Sequence, residues 1–205
     1  MINQLIGGVL QVLAFSLIPF LVYLIAKKKV KGFFGYIGLK KSTARANLFA
    51  VLNTLVFLAP TLTLAFFNEE FKQILTDPGT ITGQFRVLGF SLPTVITLLI
   101  VALIKTSLSE EIFFRGFAAK RLIRWLGFRV GNLLQAVIFG AIHVLLFVSV
   151  TGNPLFLAFI FAFPALGAWI SAYLNEKLAG GSIIPGWISH GLANMISYCV
   201  VGFLV

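Results

Sequence analysis

The sequence predicts an all-α fold, a polytopic membrane helix bundle with about six transmembrane helices in one integral membrane domain, residues 1–205. Three observations predict this fold. Of the 205 residues, 59% are hydrophobic and only 11% are charged, whereas soluble domains carry roughly 25% charged residues. The mean hydropathy is +1.01. Apolar stretches of about 20 residues, the length that crosses a bilayer, recur along the chain.

Six stretches have this length, at residues 2–26, 46–67, 88–109, 131–150, 154–174 and 183–205. The first is expected to remain as an anchor, because the opening letters MINQ lack a basic residue and the basic run KKKVK follows the stretch. Residues 1–86 are predicted to hold the N-terminal helices and an external loop at 68–86, where the letters DPG indicate a turn. Residues 87–205 form the motif-bearing core of the predicted domain.

The third helix is predicted to continue past residue 109 to about Arg124. Residues 110–124 contain good helix formers and no proline. A turn is then expected near residue 127, within WLGFRVG. The third and fourth stretches therefore form a predicted antiparallel hairpin.

Basic residues set the expected orientation of the chain in the membrane. Fourteen of the 16 Lys and Arg residues fall in three connections, at 27–45, 105–129 and 177, and the connection 68–86 holds the other two. Because basic connections stay in the cytoplasm, both termini are expected outside it. The net charge of +10 does not indicate a nucleic-acid partner, since these residues flank apolar stretches.

Few polar side chains lie at or within the apolar stretches, namely Glu110, Glu111, Arg115, His143, His190 and Asn194. Ionisable groups inside a membrane are costly, so each is by default a functional hypothesis. The remaining carboxylates are expected to be solvated charges without function, at Glu69, Glu70, Asp77 and Glu176.

The spacing about the predicted turn places two of these groups at one depth. Glu110 precedes residue 127 by 17 positions and His143 follows it by 16. In an antiparallel hairpin equal counts mean equal depth, so the two side chains are expected to meet.

Helical phase separates the two glutamates. Glu111 and Arg115 are four residues apart, so they are expected to form an ion pair on one helix face. Glu110 is rotated by about 100° from Glu111 and has no such partner. His190 and Asn194 also share a face, on the last helix.

Three short motifs in residues 110–194 resemble those of the CPBP family, which contains CAAX prenyl proteases and bacteriocin-processing enzymes. That family's motifs are a Glu-Glu pair with Arg four residues after the second Glu, a Phe with His four residues later, and a His with Asn or Asp four residues later. Here they fall on EEIFFR (Glu110, Glu111, Arg115), FGAIH (Phe139, His143) and HGLAN (His190, Asn194).

The resemblance implies an intramembrane endopeptidase, acting on a membrane-associated peptide or protein at a prokaryotic cell membrane, with a site open toward the cytoplasm. Amide hydrolysis needs an activated water, a proton for the leaving amine and donors for the oxyanion. Glu110 is the expected base, and His143 is expected to bind and orient the water. His190 and Asn194 are the expected oxyanion donors.

Glu111, Arg115 and Phe139 are expected to support the site structurally. No metal or other cofactor is expected, because Arg115 disfavours a nearby dication and an asparagine amide is a poor zinc ligand. Zinc stays an open alternative, since two histidines and a carboxylate could form an open site.

Two other classes of function stay open. A transporter could use Glu110 and His143 as a proton relay, although the chain shows no inverted repeat of broken apolar segments. A non-catalytic immunity or scaffold protein of the same family would keep the residues without activity.

The orientation can be tested with reporter fusions. Fusions after residues 35 and 127 should report a cytoplasmic location, and a fusion after residue 78 an external one, because the basic residues flank the first two sites. A cytoplasmic signal at residue 78 would contradict the predicted topology.

Overall fold

The computed structural model describes residues 2–205, apart from the side chains at positions 2, 3 and 56. Within those residues every regular element is a helix and none is a strand, so the predicted all-α class is confirmed. The α-helices of the described chain are α1 (Ile2–Lys27), α2 (Phe33–Tyr36), α3 (Ala44–Phe67), α4 (Glu69–Leu75), α5 (Ile81–Leu88), α6 (Leu92–Leu99), α7 (Lys120–Phe147), α8 (Pro154–Tyr173) and α9 (Ile184–Phe203).

Three further segments are π-helices, in which backbone bonds join residues five apart. They are π1 (Ile100–Leu108), π2 (Glu111–Ala119) and π3 (Leu174–Leu178). The elements α6, π1, π2 and the start of α7 follow one another without a loop. The predicted continuation of the third helix to about Arg124 is therefore confirmed, although its π-helical winding was not predicted.

Four helical stretches are long and apolar enough to cross a membrane: Gln4–Lys27, Ala44–Phe67, Leu92–Phe147 and Pro154–Leu178. The third holds 56 residues and overlaps most of the predicted stretches 88–109 and 131–150. It is interrupted at Gly127, whose φ of 77° and ψ of 165° suit glycine. This is the predicted turn. The 20-residue α9 is not one of the four, so six crossings stay a prediction.

The third helix begins later than residue 88, at Leu92. Gly89 breaks the chain with a φ of 69°, and the Ser91 hydroxyl accepts a hydrogen bond from the N–H of Thr94 at 3.3 Å. A proline in the first turn favours the same start.

The connection 68–86, predicted as a loop, folds into α4 and α5. Asn68 caps α4 by accepting from the N–H of Phe71 at 3.0 Å, and Thr80 caps α5 through Gly83 at 3.0 Å. Phe71 is buried beside Phe156. Such short helices depend on caps and distant packing, which hydropathy does not reveal.

α9 packs against α3, α5 and π1, while α7 packs along α8. At the second of these interfaces the backbones come close, because a Cβ on Gly140 would lie 2.5 Å from the carbonyl oxygen of Phe161. Small residues permit such approach between membrane helices. These helix contacts place π1, π2, α7 and α9 around one buried polar cluster.

The sequence predicts that Glu176 is a solvated charge, but its side chain forms an ion pair. Its carboxylate pairs with Lys120 Nζ, which also donates to the carbonyl oxygen of Gly181 at 2.8 Å. The two side chains are 23% and 16% exposed. The contact joins π3 to the start of α7, and the expectation failed because the residues lie 56 positions apart.

Candidate active site

The helix that carries the two glutamates is wound as a π-helix on both sides of Glu110. Within π1 the hydroxyls of Thr106 and Ser107 donate to the carbonyl oxygens five residues earlier, at 2.9 and 2.5 Å. Side-chain hydroxyls therefore bind backbone oxygens along this stretch. π-helical turns are frequent at functional sites.

Glu111 and Arg115 form the predicted ion pair, with 3.3 Å between Glu111 Oε1 and Arg115 Nη1. The two side chains are 0% and 3% exposed. The guanidinium carbon lies 3.9 Å from the centre of the Phe139 ring, close enough for a cation–π contact. Phe139 thus covers the ion pair from α7.

His190 lies between the two glutamates. Its Nδ1 is 3.4 Å from Glu111 Oε1, and its Nε2 is 3.9 Å from Glu110 Oε2. Glu110 itself is 20% exposed, unlike Glu111. The carboxylate of Glu110 therefore faces open space and a histidine, while that of Glu111 is enclosed.

The equal counts from the turn predicted that His143 would meet Glu110, but a different histidine lies nearest to this carboxylate. Among the described residues the histidine within 4 Å of the Glu110 carboxylate is His190. The two predicted partners nevertheless line one cavity. His143 Nδ1–H donates to the carbonyl oxygen of Phe139 at 2.8 Å, which leaves a lone pair on its Nε2 in the neutral ring.

Asn194 has partners that the sequence analysis did not identify. Its amide donates to the hydroxyls of Thr106 at 3.0 Å and Ser107 at 3.2 Å. The side chain still lines a cavity together with His190. In this structure its N–H groups hold α9 against π1, so they are engaged before any oxyanion forms.

Two cavities meet at Phe139 and His143, which line both. The first has a volume of about 210 Å³ and lies between α3, α8 and α9. Its polar side holds Arg115, His190 and Asn194, and its apolar side includes Phe57, Phe159 and Phe163. The second has a volume of about 320 Å³ and is lined by Glu110, Lys105, Gln4 and Gln11.

Lys105 was counted as a basic residue of a cytoplasmic connection, but it lines the second cavity with Glu110. Its Nζ donates to Gln4 Oε1 on α1 at 3.1 Å. Bonding between residues five apart brings positions 105 and 110 toward one face. The count of basic residues placed Lys105 in a connection because amino-acid composition does not reveal a π-helix.

Two further neighbours of the site were missed. The Trp187 indole N–H donates to the carbonyl oxygen of Leu103 at 2.7 Å, and Asn53 Nδ2 donates to the hydroxyl of Ser189 at 2.9 Å. Both contacts fix α9 next to His190. The contact of Asn53 could have been suspected from the sequence, because this asparagine lies inside the second apolar stretch.

A serine nucleophile does not fit these contacts. The Ser189 hydroxyl accepts a hydrogen bond from Asn53 Nδ2, and the Ser107 hydroxyl donates one to the carbonyl oxygen of Ala102. Across residues 2–205 neither histidine is hydrogen-bonded to either hydroxyl. Activation of a serine requires such a base.

The residues present do not form a ready metal site. In the part of the chain that the structure describes, no three His, Cys, Asp or Glu side chains are grouped to hold one ion. Glu111 is already paired with Arg115, whose positive charge opposes a dication beside it.

A protein-family model described as type II CAAX prenyl endopeptidase Rce1-like matches residues 92–196, just over half of the chain. The chain belongs to this family. The resemblance to the CPBP proteases is thereby confirmed. The match begins at the start of α6 and ends within α9, so it contains all seven predicted site residues.

Together with the long apolar helices, the match identifies an integral membrane protein with a CAAX-protease-type peptidase domain. No similar curated protein and no similar solved structure was found. The Rce1-like match leaves residues 1–91 outside it.

The burial of the two glutamates predicts different effects on folding. Glu111→Gln should lower folded yield, because breaking a buried ion pair costs about 3–5 kcal/mol and leaves Arg115 unpaired. Glu110→Gln should keep near-normal yield, since Glu110 is partly exposed and has no arginine partner. Size-exclusion chromatography of the detergent-extracted protein measures both. Equal yields of the two variants would contradict the assignment.

Proposed function

We propose that this Rce1-like chain hydrolyses a peptide bond of a membrane-associated protein or peptide, using a water molecule activated by Glu110. The observation that carries the proposal is the environment of that carboxylate. It lines a cavity beside His143, faces His190 at 3.9 Å and is separate from the enclosed Glu111–Arg115 pair. A general base needs a carboxylate that water can reach.

In the proposed reaction Glu110 accepts a proton from water while the water oxygen attacks the carbonyl carbon of the scissile bond. The Nε2 lone pair of His143 accepts a hydrogen bond from the O–H that the water keeps, and so orients the attacking oxygen. The carbon–nitrogen bond of the tetrahedral intermediate then breaks. Protonated Glu110 returns its proton to the leaving amine, so the base is regenerated.

His190 is the proposed donor to the oxyanion. Its Nδ1–H is directed at Glu111 Oε1. When the ring carries a proton on each nitrogen it can also donate from Nε2, and the negative charge of Glu111 then offsets the positive charge of the ring. Asn194 can add a second donor when it releases Thr106 or Ser107. Donors of this kind contribute about 3–4 kcal/mol in other enzymes.

The proposed setting is a prokaryotic cell membrane. The site is proposed to open toward the cytoplasm, because the distribution of basic residues predicts that orientation. The substrate is a membrane-associated peptide or protein, and no nucleic acid takes part. Purified protein in detergent, incubated with peptides that do or do not carry a prenylated cysteine, tests the substrate class by mass spectrometry of the products.

A proton relay is a second candidate, and one observation favours it. Two cavities approach His143 from different sides, and Glu110 lines only one of them. Proton flux across liposomes that contain the protein, without peptide cleavage, would support the relay. Peptide cleavage without proton flux would support the peptidase.

Glu110→Gln should reduce peptide turnover by about 10²–10⁴-fold, the usual contribution of a general base. The substitution preserves shape but removes the basic lone pair. Turnover is measured with a peptide that the mass-spectrometric assay identifies as a substrate. Glu70→Gln is the matched control, because Glu70 is exposed on α4, and it should retain full activity. Near-normal turnover in Glu110→Gln would overturn the base assignment.

Catalysis is expected to persist after prolonged treatment with a strong chelator, because Glu110 can activate water without a dication. Elemental analysis of the purified protein should show zinc well below one atom per chain. Activity that disappears with chelator and returns with stoichiometric zinc would instead make Glu110, His143 and His190 the ligands of a catalytic ion.

A further inference from the structure

Among the buried polar atoms that have no hydrogen-bond partner within the described residues, two face Gly186. They are Oε2 of Glu111 and Nδ2 of Asn175. A Cβ built on Gly186 would lie 2.9 Å from Asn175 Nδ2 and would overlap Glu111 Oε2. A carboxylate oxygen and an amide donor therefore converge at one point where only glycine fits.

Asn175 lies on π3, outside the three motifs, and is 1% exposed. Its Oδ1 accepts a hydrogen bond from the Gly186 N–H at 2.9 Å. Gly186 is in the first turn of α9, four residues before His190. The amide of Asn175 is thus oriented, with its oxygen toward the α9 backbone and its N–H groups left for another acceptor.

We propose that Asn175 is a positioning residue for the catalytic cluster. Its Nδ2–H donates to Glu111 Oε2, directly or through one enclosed water. Glu111 Oε1 is then free to bind Arg115 and His190, and His190 is held next to Glu110. The catalytic part of this inference rests on the proposed function.

Three observations support a role through Glu111 and not through the substrate. Asn175 lines neither cavity. Glu111 Oε2 is fully buried, and a buried carboxylate oxygen is costly unless a donor reaches it. The amide oxygen of Asn175 also accepts the Gly186 N–H at the start of α9, so the same residue contacts the helix that carries His190.

Asn132 provides a matched control. It is also an asparagine, it is 0% exposed, and its amide donates to the carbonyl oxygen of Trp169 on α8 at 3.0 Å. It packs α7 against α8 and, within the described residues, forms no hydrogen bond with Glu111. A substitution that merely removes a buried asparagine amide should affect both positions similarly.

The first experiment measures thermal unfolding of the full chain in detergent. Asn175→Asp should lower the unfolding temperature by about 5 °C or more, because two buried carboxylates then face each other. Adding Glu111→Gln to that variant removes the repulsion and restores one donor and one acceptor. Glu111→Gln should therefore lower the unfolding temperature less in the Asn175→Asp background than in the wild-type chain. If Asn175→Asp does not accumulate, the readout is the folded yield of the double variant relative to that of Glu111→Gln alone.

The control pair makes this outcome specific. Glu111→Gln added to Asn132→Asp should lower the unfolding temperature further, because the two sites do not share a contact. If Glu111→Gln is as harmful with Asn175→Asp as with Asn132→Asp, the contact between Asn175 and Glu111 is refuted.

The second experiment measures peptide cleavage by Asn175→Ala. The turnover number should fall by about tenfold or more with KM changed by less than about twofold, because the residue acts on the catalytic groups and not on the bound substrate. Asn132→Ala should leave both values unchanged per folded molecule. A raised KM with an unchanged turnover number would overturn the positioning role. If the wild-type chain cleaves no peptide, the proposed function fails, while the unfolding data still decide the contact.

Discussion

The site depends on the burial of one ion pair, Glu111 with Arg115, inside a membrane protein. Taking both charges out of water is costly, and the cost is offset only if further groups bind the remaining polar atoms. The fold supplies such groups from different elements. Phe139 on α7 covers the guanidinium, and His190 on α9 approaches the carboxylate. Helices distant in sequence are therefore held together by the charge that π2 introduces.

This constraint also explains why two glutamates occur side by side. One carboxylate on a helix cannot both neutralise a buried arginine and remain open to water. Adjacent residues differ by about 100° in helical phase, so they divide the two roles. Glu111 is enclosed, and Glu110 faces a cavity at 20% exposure. His190 contacts both and couples the structural carboxylate to the open one.

The features that could be predicted were those encoded locally. The all-α class follows from hydropathy, the Glu111–Arg115 pair from four-residue spacing, and the break at Gly127 from the segment WLGFRVG that follows the helix-forming run 110–124. Contacts between distant residues were harder. The partners of Asn194 are hydroxyls on π1, and the partner of Glu176 is Lys120. Neither has a periodic pattern, since both depend on how separate helices meet.

Helical winding explains why equal counts from the turn did not bring Glu110 directly onto His143. The counts assume a uniform α-helix of about 1.5 Å per residue. The chain instead passes through π1 and π2, which changes both the rise and the direction of each side chain. Predicted depth was close enough to place both groups on one cavity, but the facing histidine became His190.

Hydrogen bonds to the π-helical segment π1 also fix the position of α9 along it. Trp187 donates to the carbonyl oxygen of Leu103, and Asn194 donates to Thr106 and Ser107, so contacts before and after His190 engage π1. An irregular backbone inside a membrane is tolerated where protein groups satisfy it. The same groups that satisfy π1 therefore determine where His190 stands relative to Glu110.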